Sequence, residues 1–120
     1  MIMSFAPMLP STSAIETQRE AGAAVFQSTK TLTQVAAFPY VVTRSGIEIL
    51  LVTSRRRRRW ILPRGWPVEG MSYGMAAAKE AKEEAGLIGD MGHQALGDYL
   101  YKKRTGKGYR VPCRVFVFPL

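Results

Sequence analysis

The sequence predicts a single α/β domain, rich in strands and carrying one long internal helix. Three observations lead to this class. Strand-like apolar runs bounded by turn residues begin near Gln34 and recur to the C-terminus. The stretch AAAKEAKEEA, residues 76–85, is uninterrupted helix-forming sequence. A chain of 120 residues is long enough for one modest hydrophobic core and too short for two.

Taken in order, Val35 to Thr43 is a strand interrupted by Pro39. Proline cannot donate to a ladder, so that position marks an edge or a bulge. Arg44-Ser45-Gly46 is a tight connection to a second strand, Ile47 to Thr53, and the pair reads as a hairpin. Arg55 to Arg59 form a polar loop before a short strand at Trp60 to Leu62. Pro63, Gly65, Pro67 and Gly70 then punctuate an irregular loop. Ser72 has the chemistry of an N-cap and Gly86 that of a C-terminal stop around the helix. Beyond Gly89, Gly92 and Gly97, two further strands are expected at Ala95 to Arg104 and Tyr109 to Phe118. In the second, Val111, Cys113, Val115 and Val117 alternate with Pro112, Arg114, Phe116 and Phe118. Apolar residues on both faces near its end place it inside the fold.

The first segment reads differently. Met1 to Pro10 is apolar but has no basic residue ahead of it and is broken by Pro7 and Pro10, which is not the layout of a signal peptide. Residues 1–32 are therefore expected to be a leader or flexible segment, and residues 33–120 the folded domain. The chain ends on Phe116-Val117-Phe118-Pro119-Leu120, core-quality sequence with no polar cap. The expectation is a C-terminally truncated domain lacking a final helix. No internal repeat is visible, which excludes solenoids and propellers.

Composition narrows the function. Apolar residues at 47% and charged residues at 22% argue against wholesale disorder. Seventeen Lys and Arg against nine Asp and Glu leave a net charge of +8, which points to polyanionic partners. Cys113 is the only cysteine, so an intrachain disulfide and a thiolate-only zinc site are excluded, and a cytoplasmic location fits. The longest apolar run, Ile47 to Val52, already contains Glu48, so no bilayer span is expected.

Glu80, Glu83 and Glu84 are the most informative residues. At positions i, i+3 and i+4 they share an arc of roughly 100° on the helix. Like charges at that spacing repel, and the C-terminal half of a helix disfavours anions. Two readings are open. One is a solvated face relieved by Lys79 and Lys82; the other is a site for a hard divalent cation.

The preceding loop favours the second. Gly65, five residues, Met71, seven residues, and then Lys79-Glu80-Ala81-Lys82-Glu83-Glu84-Ala85-Gly86-Leu87 resembles the Nudix box. In that pattern the loop opens on Gly, and the helix carries R-E-U-x-E-E-x-G-U, with U aliphatic. Gly65, Glu80, Glu83, Glu84, Gly86 and Leu87 are in register. Met71 replaces the first Glu of the pattern, Lys79 the Arg, and Ala81 stands at an aliphatic position. The first two are bracing positions in the family, and Glu69 with Lys79 is the expected substitute brace.

The resemblance implies a Nudix-type α/β/α sandwich with a mixed sheet and a loop–helix–loop catalytic motif. It implies magnesium-dependent hydrolysis of a phosphoanhydride bond, with manganese as an alternative cation. Glu80, Glu83 and Glu84 become the catalytic and metal-binding residues, joined by the backbone carbonyl of Gly65 or Arg64. The substrate implied is a nucleoside diphosphate linked to a further group, or a related polyphosphate. The sequence around Arg59-Trp60-Ile61-Leu62-Pro63-Arg64-Gly65 is similar to diphosphoinositol polyphosphate phosphohydrolases, which favours inositol pyrophosphates or diadenosine polyphosphates. Arg55, Arg57, Arg59, Arg64, Lys102 and Arg104 are the expected substrate contacts. The rival is a Nudix-fold module that binds a nucleotide or RNA without catalysis, because five consecutive arginines also read as an RNA-contacting loop.

The remaining distinctive side chains read as structure. Trp60 and Trp66 are expected to pack in the core. His93 is expected to be exposed and Cys113 buried without a nucleophilic role. Strand alternation accounts for Tyr99 and Tyr101.

Overall fold

The computed structural model describes residues 3–7 and 30–120. In chain order the elements are β1 (Met3–Pro7), β2 (Leu32–Phe38), β3 (Tyr40–Thr43), β4 (Gly46–Thr53), β5 (Trp60–Ile61) and β6 (Arg64–Gly65). Helix α1 (Tyr73–Ala85) follows, and then β7 (Gly97–Arg104) and β8 (Arg110–Pro119). The strands form two four-stranded sheets. In the first, β4 lies between β1 and β3 and also pairs with β5, all antiparallel. The second runs β6-β2-β8-β7 and is mixed, with β2 and β8 parallel and the outer pairs antiparallel. Within the segment read as a leader, β1 pairs with β4, Met3 opposite Val52; residues 8–29 lie outside the described residues.

Pro39 does more than mark an edge. It divides one strand-like run between the two sheets, β2 in the second and β3 in the first. On one side the Phe38 carbonyl accepts from Leu120 N (3.1 Å); on the other the Pro39 carbonyl accepts from Leu50 N (2.9 Å). A residue with no N–H can sit at that crossing without leaving a donor unpaired. The two residues of β6 fall in the stretch expected to be irregular. They pair with β2 as Val35 opposite Gly65 and Ala36 opposite Arg64. The local sequence Pro-Arg-Gly-Trp-Pro carries no strand signal, so this pairing is made by tertiary contact.

The helix begins and ends where its capping residues place it. Ser72 Oγ accepts from Met75 N (3.2 Å), and Gly86 takes the left-handed conformation at φ 68°, its N–H on the Lys82 carbonyl (2.9 Å). Ala76, Ala77 and Ala81 face Val35 and Ala37 of β2 and Phe118 of β8, with Leu87, Met91 and Phe116 closing the cluster. Ala36, Cys113 and Val115 form a second buried cluster on the opposite face, with Leu62, Tyr99 and Tyr101 against it. Among the described residues α1 is the only helix, so the second helical layer expected of the sandwich has no counterpart there. No described helix is long and apolar enough to cross a membrane.

A Cβ at Gly86 would meet nothing within 4 Å, so the cost of replacing it is purely conformational. Gly86→Ala is expected to lower stability by about 1 kcal/mol. Urea denaturation reads this directly, and an unchanged midpoint would show that the cap does not hold the helix.

Candidate active site

The small side chains of α1 decide where its acids go. Alanine at 76, 77 and 81 lets the helix lie close on the second sheet, and the flanking positions 80 and 84 then reach β6 at that sheet's edge. Glu84 Oε2 accepts from the backbone N–H of Arg64 (3.2 Å). The Glu80 carboxylate lies directly over Gly65. A Cβ at that residue would stand 2.7 Å from Oε2 and closer still to the other carboxylate atoms. Two acids one helical turn apart thus converge on a two-residue strand, and glycine at 65 leaves the room that Glu80 occupies.

Glu83 takes another course. It pairs with Lys79 across the exposed side of the helix at 2.6 Å. Of the three expected ligands, the structure brings two together and leaves the third with a lysine. Among the described residues no group of three or more His, Cys, Asp or Glu side chains is assembled for a metal ion. Lys79 therefore braces Glu83 and not Glu69, contrary to expectation, and Met71 is exposed.

Burial raises the pKa of both convergent acids. For Glu80 desolvation is the leading cause, with repulsion from Glu83 adding to it and Lys79 opposing. For Glu84 desolvation again leads; the bond from Arg64 N–H opposes it, and Glu80 adds repulsion. Lys79 is held above its usual range by its bond to Glu83. The sign of the pH dependence follows. A group whose folded pKa is raised stabilises the fold below its unfolded pKa and loses that contribution as pH rises through the folded value. Without a divalent cation, neutralising these acids should therefore stabilise the protein at pH 7 and matter little near pH 4. The melting temperature of Glu80→Gln/Glu84→Gln minus that of the parent should be positive at pH 7 and shrink on acidification. A gap that widens toward acid would contradict the raised values.

The Arg64 side chain belongs to the other face of the same sheet, over Ala36. Its guanidinium carbon stands 4.2 Å from the centre of the Tyr101 ring, and Nη1 donates to Tyr99 Oη (3.4 Å). The Tyr101 hydroxyl donates to Gln34 Oε1 (2.6 Å), and its burial lifts the phenol above its usual pKa. Beside this group Lys103 Nζ lies over the Trp66 ring at 5.4 Å. Cys113 is fully buried, as expected, and burial raises its thiol pKa.

Several expected contacts are elsewhere. Trp60 and Trp66 are 48% and 49% exposed, so neither packs in the core. Arg55, Arg57 and Arg59 are exposed on the β4–β5 hairpin. Lys102 and Arg104 alternate with Tyr101 and Lys103 along β7 and face away from Arg64. Lys103, Tyr99, Tyr101 and Gln34 are the additions that tertiary structure makes. The alternation of β7 put three of them on one face, but nothing local aimed that face at Arg64.

A match to the family described as NUDIX domain spans residues 33–119. This chain belongs to the Nudix family. The same fold recurs in solved structures of low sequence identity. A C. elegans Ap4A hydrolase superposes with a TM-score of 0.57 at 21% identity, over 76% of this chain and 69% of that one. The NUDIX domain of Shewanella oneidensis NrtR, complexed with ADP ribose, gives 0.56 at 16% identity over 84% and 69%. A MutT/nudix family protein from Enterococcus faecalis gives 0.56 at 17% identity over 93% of this chain and 49% of its own. No curated protein matches the sequence. The Nudix helix is thus α1, and β6 supplies the glycine that opens the box.

Proposed function

We propose that this Nudix domain hydrolyses a phosphoanhydride bond in a nucleoside diphosphate derivative or related polyphosphate. One observation carries the reading: two partly buried carboxylates, Glu80 and Glu84, converge on the two residues of β6, while the Arg64 guanidinium lies on the other face of that strand and forms no salt bridge among the described residues. The donor set suits a hard cation, because the carboxylates of Glu80 and Glu84 converge on β6 and their charge is poorly solvated. Glu80, Glu83 and Glu84, with the carbonyl of Gly65 or Arg64, would hold magnesium, or manganese in its place. Bound there, such an ion would polarise phosphoryl oxygens and acidify a water.

This chain's own residues supply the rest. Arg64, held by two tyrosines on the other face of β6, forms no salt bridge among the described residues and would offset charge on a phosphate chain that passes round that sheet edge. Water oxygen forms the new bond to phosphorus as the bridging P–O bond breaks, and a carboxylate takes the water's proton. The raised pKa values of Glu80 and Glu84 make either a stronger base than a solvent-exposed acid. The net charge of +8 and the fold shared with an Ap4A hydrolase favour substrates with several phosphates, dinucleoside polyphosphates or inositol pyrophosphates.

The test is product release from a panel comprising a dinucleoside polyphosphate, an inositol pyrophosphate and a nucleotide sugar. Turnover should require magnesium, cease with chelator, and be greatest for the longer phosphate chains. The Lys79–Glu83 pair and the exposed Met71 favour a second reading, a module that binds nucleotides without cleaving them. Binding of the panel with no product from any member would select it.

A further inference from the structure

An arginine without an acid needs something else to hold it. Arg64 forms no salt bridge among the described residues, yet its side chain is half-buried. Its guanidinium carbon stands 4.2 Å from the centre of the Tyr101 ring, and Nη1 donates to Tyr99 Oη (3.4 Å). The ring fixes where the guanidinium lies, and the hydroxyl fixes which nitrogen turns toward Tyr99.

These contacts cross the whole sheet. β6 and β7 are the two edges of the order β6-β2-β8-β7, so their backbones lie three strand spacings, roughly 14 Å, apart. Arg64 lies opposite Ala36 and Tyr101 opposite Cys113, and both of those small side chains belong to the buried floor of this face. Small residues on the middle strands leave the room in which a long arginine and a phenol can meet. The floor senses the charge above it. Burial raises the Cys113 thiol pKa, whereas its bond with Tyr101 and the charges of Lys103 and Arg64 oppose the rise.

Tyr101 is itself fixed. Its Oη donates to Oε1 of the buried Gln34 (2.6 Å), and the Tyr99 ring lies 6.3 Å away at 42°. A buried amide oxygen left without a donor is costly, so the Gln34 bond holds the end of the phenol while its ring receives Arg64. Helix α1 lies on the opposite face, against Val35, Ala37 and Phe118.

We propose, on the phosphate-chain substrate inferred above, that Tyr101, anchored by Gln34, is the positioning residue that presents the Arg64 guanidinium to that chain. Arg64 lies on the face away from Glu80 and Glu84, so it grips phosphates remote from the bond that breaks. Such a contact is present equally before and in the transition state. Its loss raises KM with little change in kcat.

Calorimetric titration of inorganic tripolyphosphate into the full-length protein tests this without turnover, in chelator and about 0.15 M salt to screen the exposed arginines. Arg64→Met and Tyr101→Leu should each weaken binding by roughly tenfold. The double variant should lose no more than either alone. Tyr101→Phe keeps the ring and loses the bond to Gln34, so it should melt earlier than the parent yet bind within about threefold of it. Tyr99→Phe is the smaller change should Tyr101→Leu disturb the core. It should cost about threefold in the parent and nothing further beside Arg64→Met. With magnesium, Tyr101→Leu should raise KM for a dinucleoside polyphosphate by roughly tenfold and shift kcat by less than about twofold. Additive losses in the double variant, binding that follows melting temperature across Tyr101→Leu and Tyr101→Phe, or a parent that does not bind tripolyphosphate would each overturn the proposal. A parent that cleaves nothing, with the losses still non-additive, would sink the hydrolase reading and uphold the role of Tyr101.

Discussion

Glu84→Gln is expected to reduce turnover by at least about a hundredfold while leaving the cation-free protein as stable as the parent or more so. The two effects oppose each other for one reason. Glu84 is a partly buried carboxylate whose pKa is raised chiefly by desolvation, so its charge is a cost to the fold that the site requires. Glutamine retains an oxygen that can accept from Arg64 N–H, and the α1–β6 contact therefore survives. It cannot offer the full charge to a divalent ion or take a proton from water. Steady-state turnover under saturating magnesium and a thermal melt in chelator check both halves. Near-parental turnover in a folded Glu84→Gln protein would remove this helix from the chemistry.

Gly65→Ala is expected to have a similar effect on activity through geometry alone. The added methyl overlaps the Glu80 carboxylate, and the flexible end of that side chain is what must yield. Gly65 lies in a strand and its φ is not positive, so alanine is conformationally acceptable there. Stability should change by less than about 1 kcal/mol, whereas turnover should fall on the order of a hundredfold, as displacing a catalytic group by about an ångström does. A variant equally active and equally stable would show that Glu80 need not sit on Gly65. A variant that fails to fold would instead make the glycine structural.

What local sequence encodes was legible at the helix. Ser72, the alanine-rich run and Gly86 place its ends because capping and propensity act within one turn. The strand pairs of both hairpins follow from period-two patterning and turn residues in the same way. The spacing of Gly65, Glu80, Glu83 and Glu84 identified the family through a resemblance before any coordinates did.

Long-range pairing was not encoded locally. β6 exists because β2 offers it an edge, and Arg64-Gly65 flanked by prolines has no strand signal of its own. Pro39 announced a break, but only packing decided that the break sends one run into two sheets. Helical spacing put all three acids on one arc, whereas side-chain choice depends on the neighbours present: Gly65 leaves space for Glu80, Arg64 N–H attracts Glu84, and Lys79 holds Glu83. Both tryptophans were expected inside because they flank a short strand read as buried, and both lie half exposed, while Pro63 between them in sequence is fully buried. The sequence by itself thus determined the elements, the family and the acids available. The tertiary structure decided which acids meet, which rings hold Arg64 on the other face of β6 and which arginines are left to the solvent, since each of those depends on contacts between residues far apart in the chain.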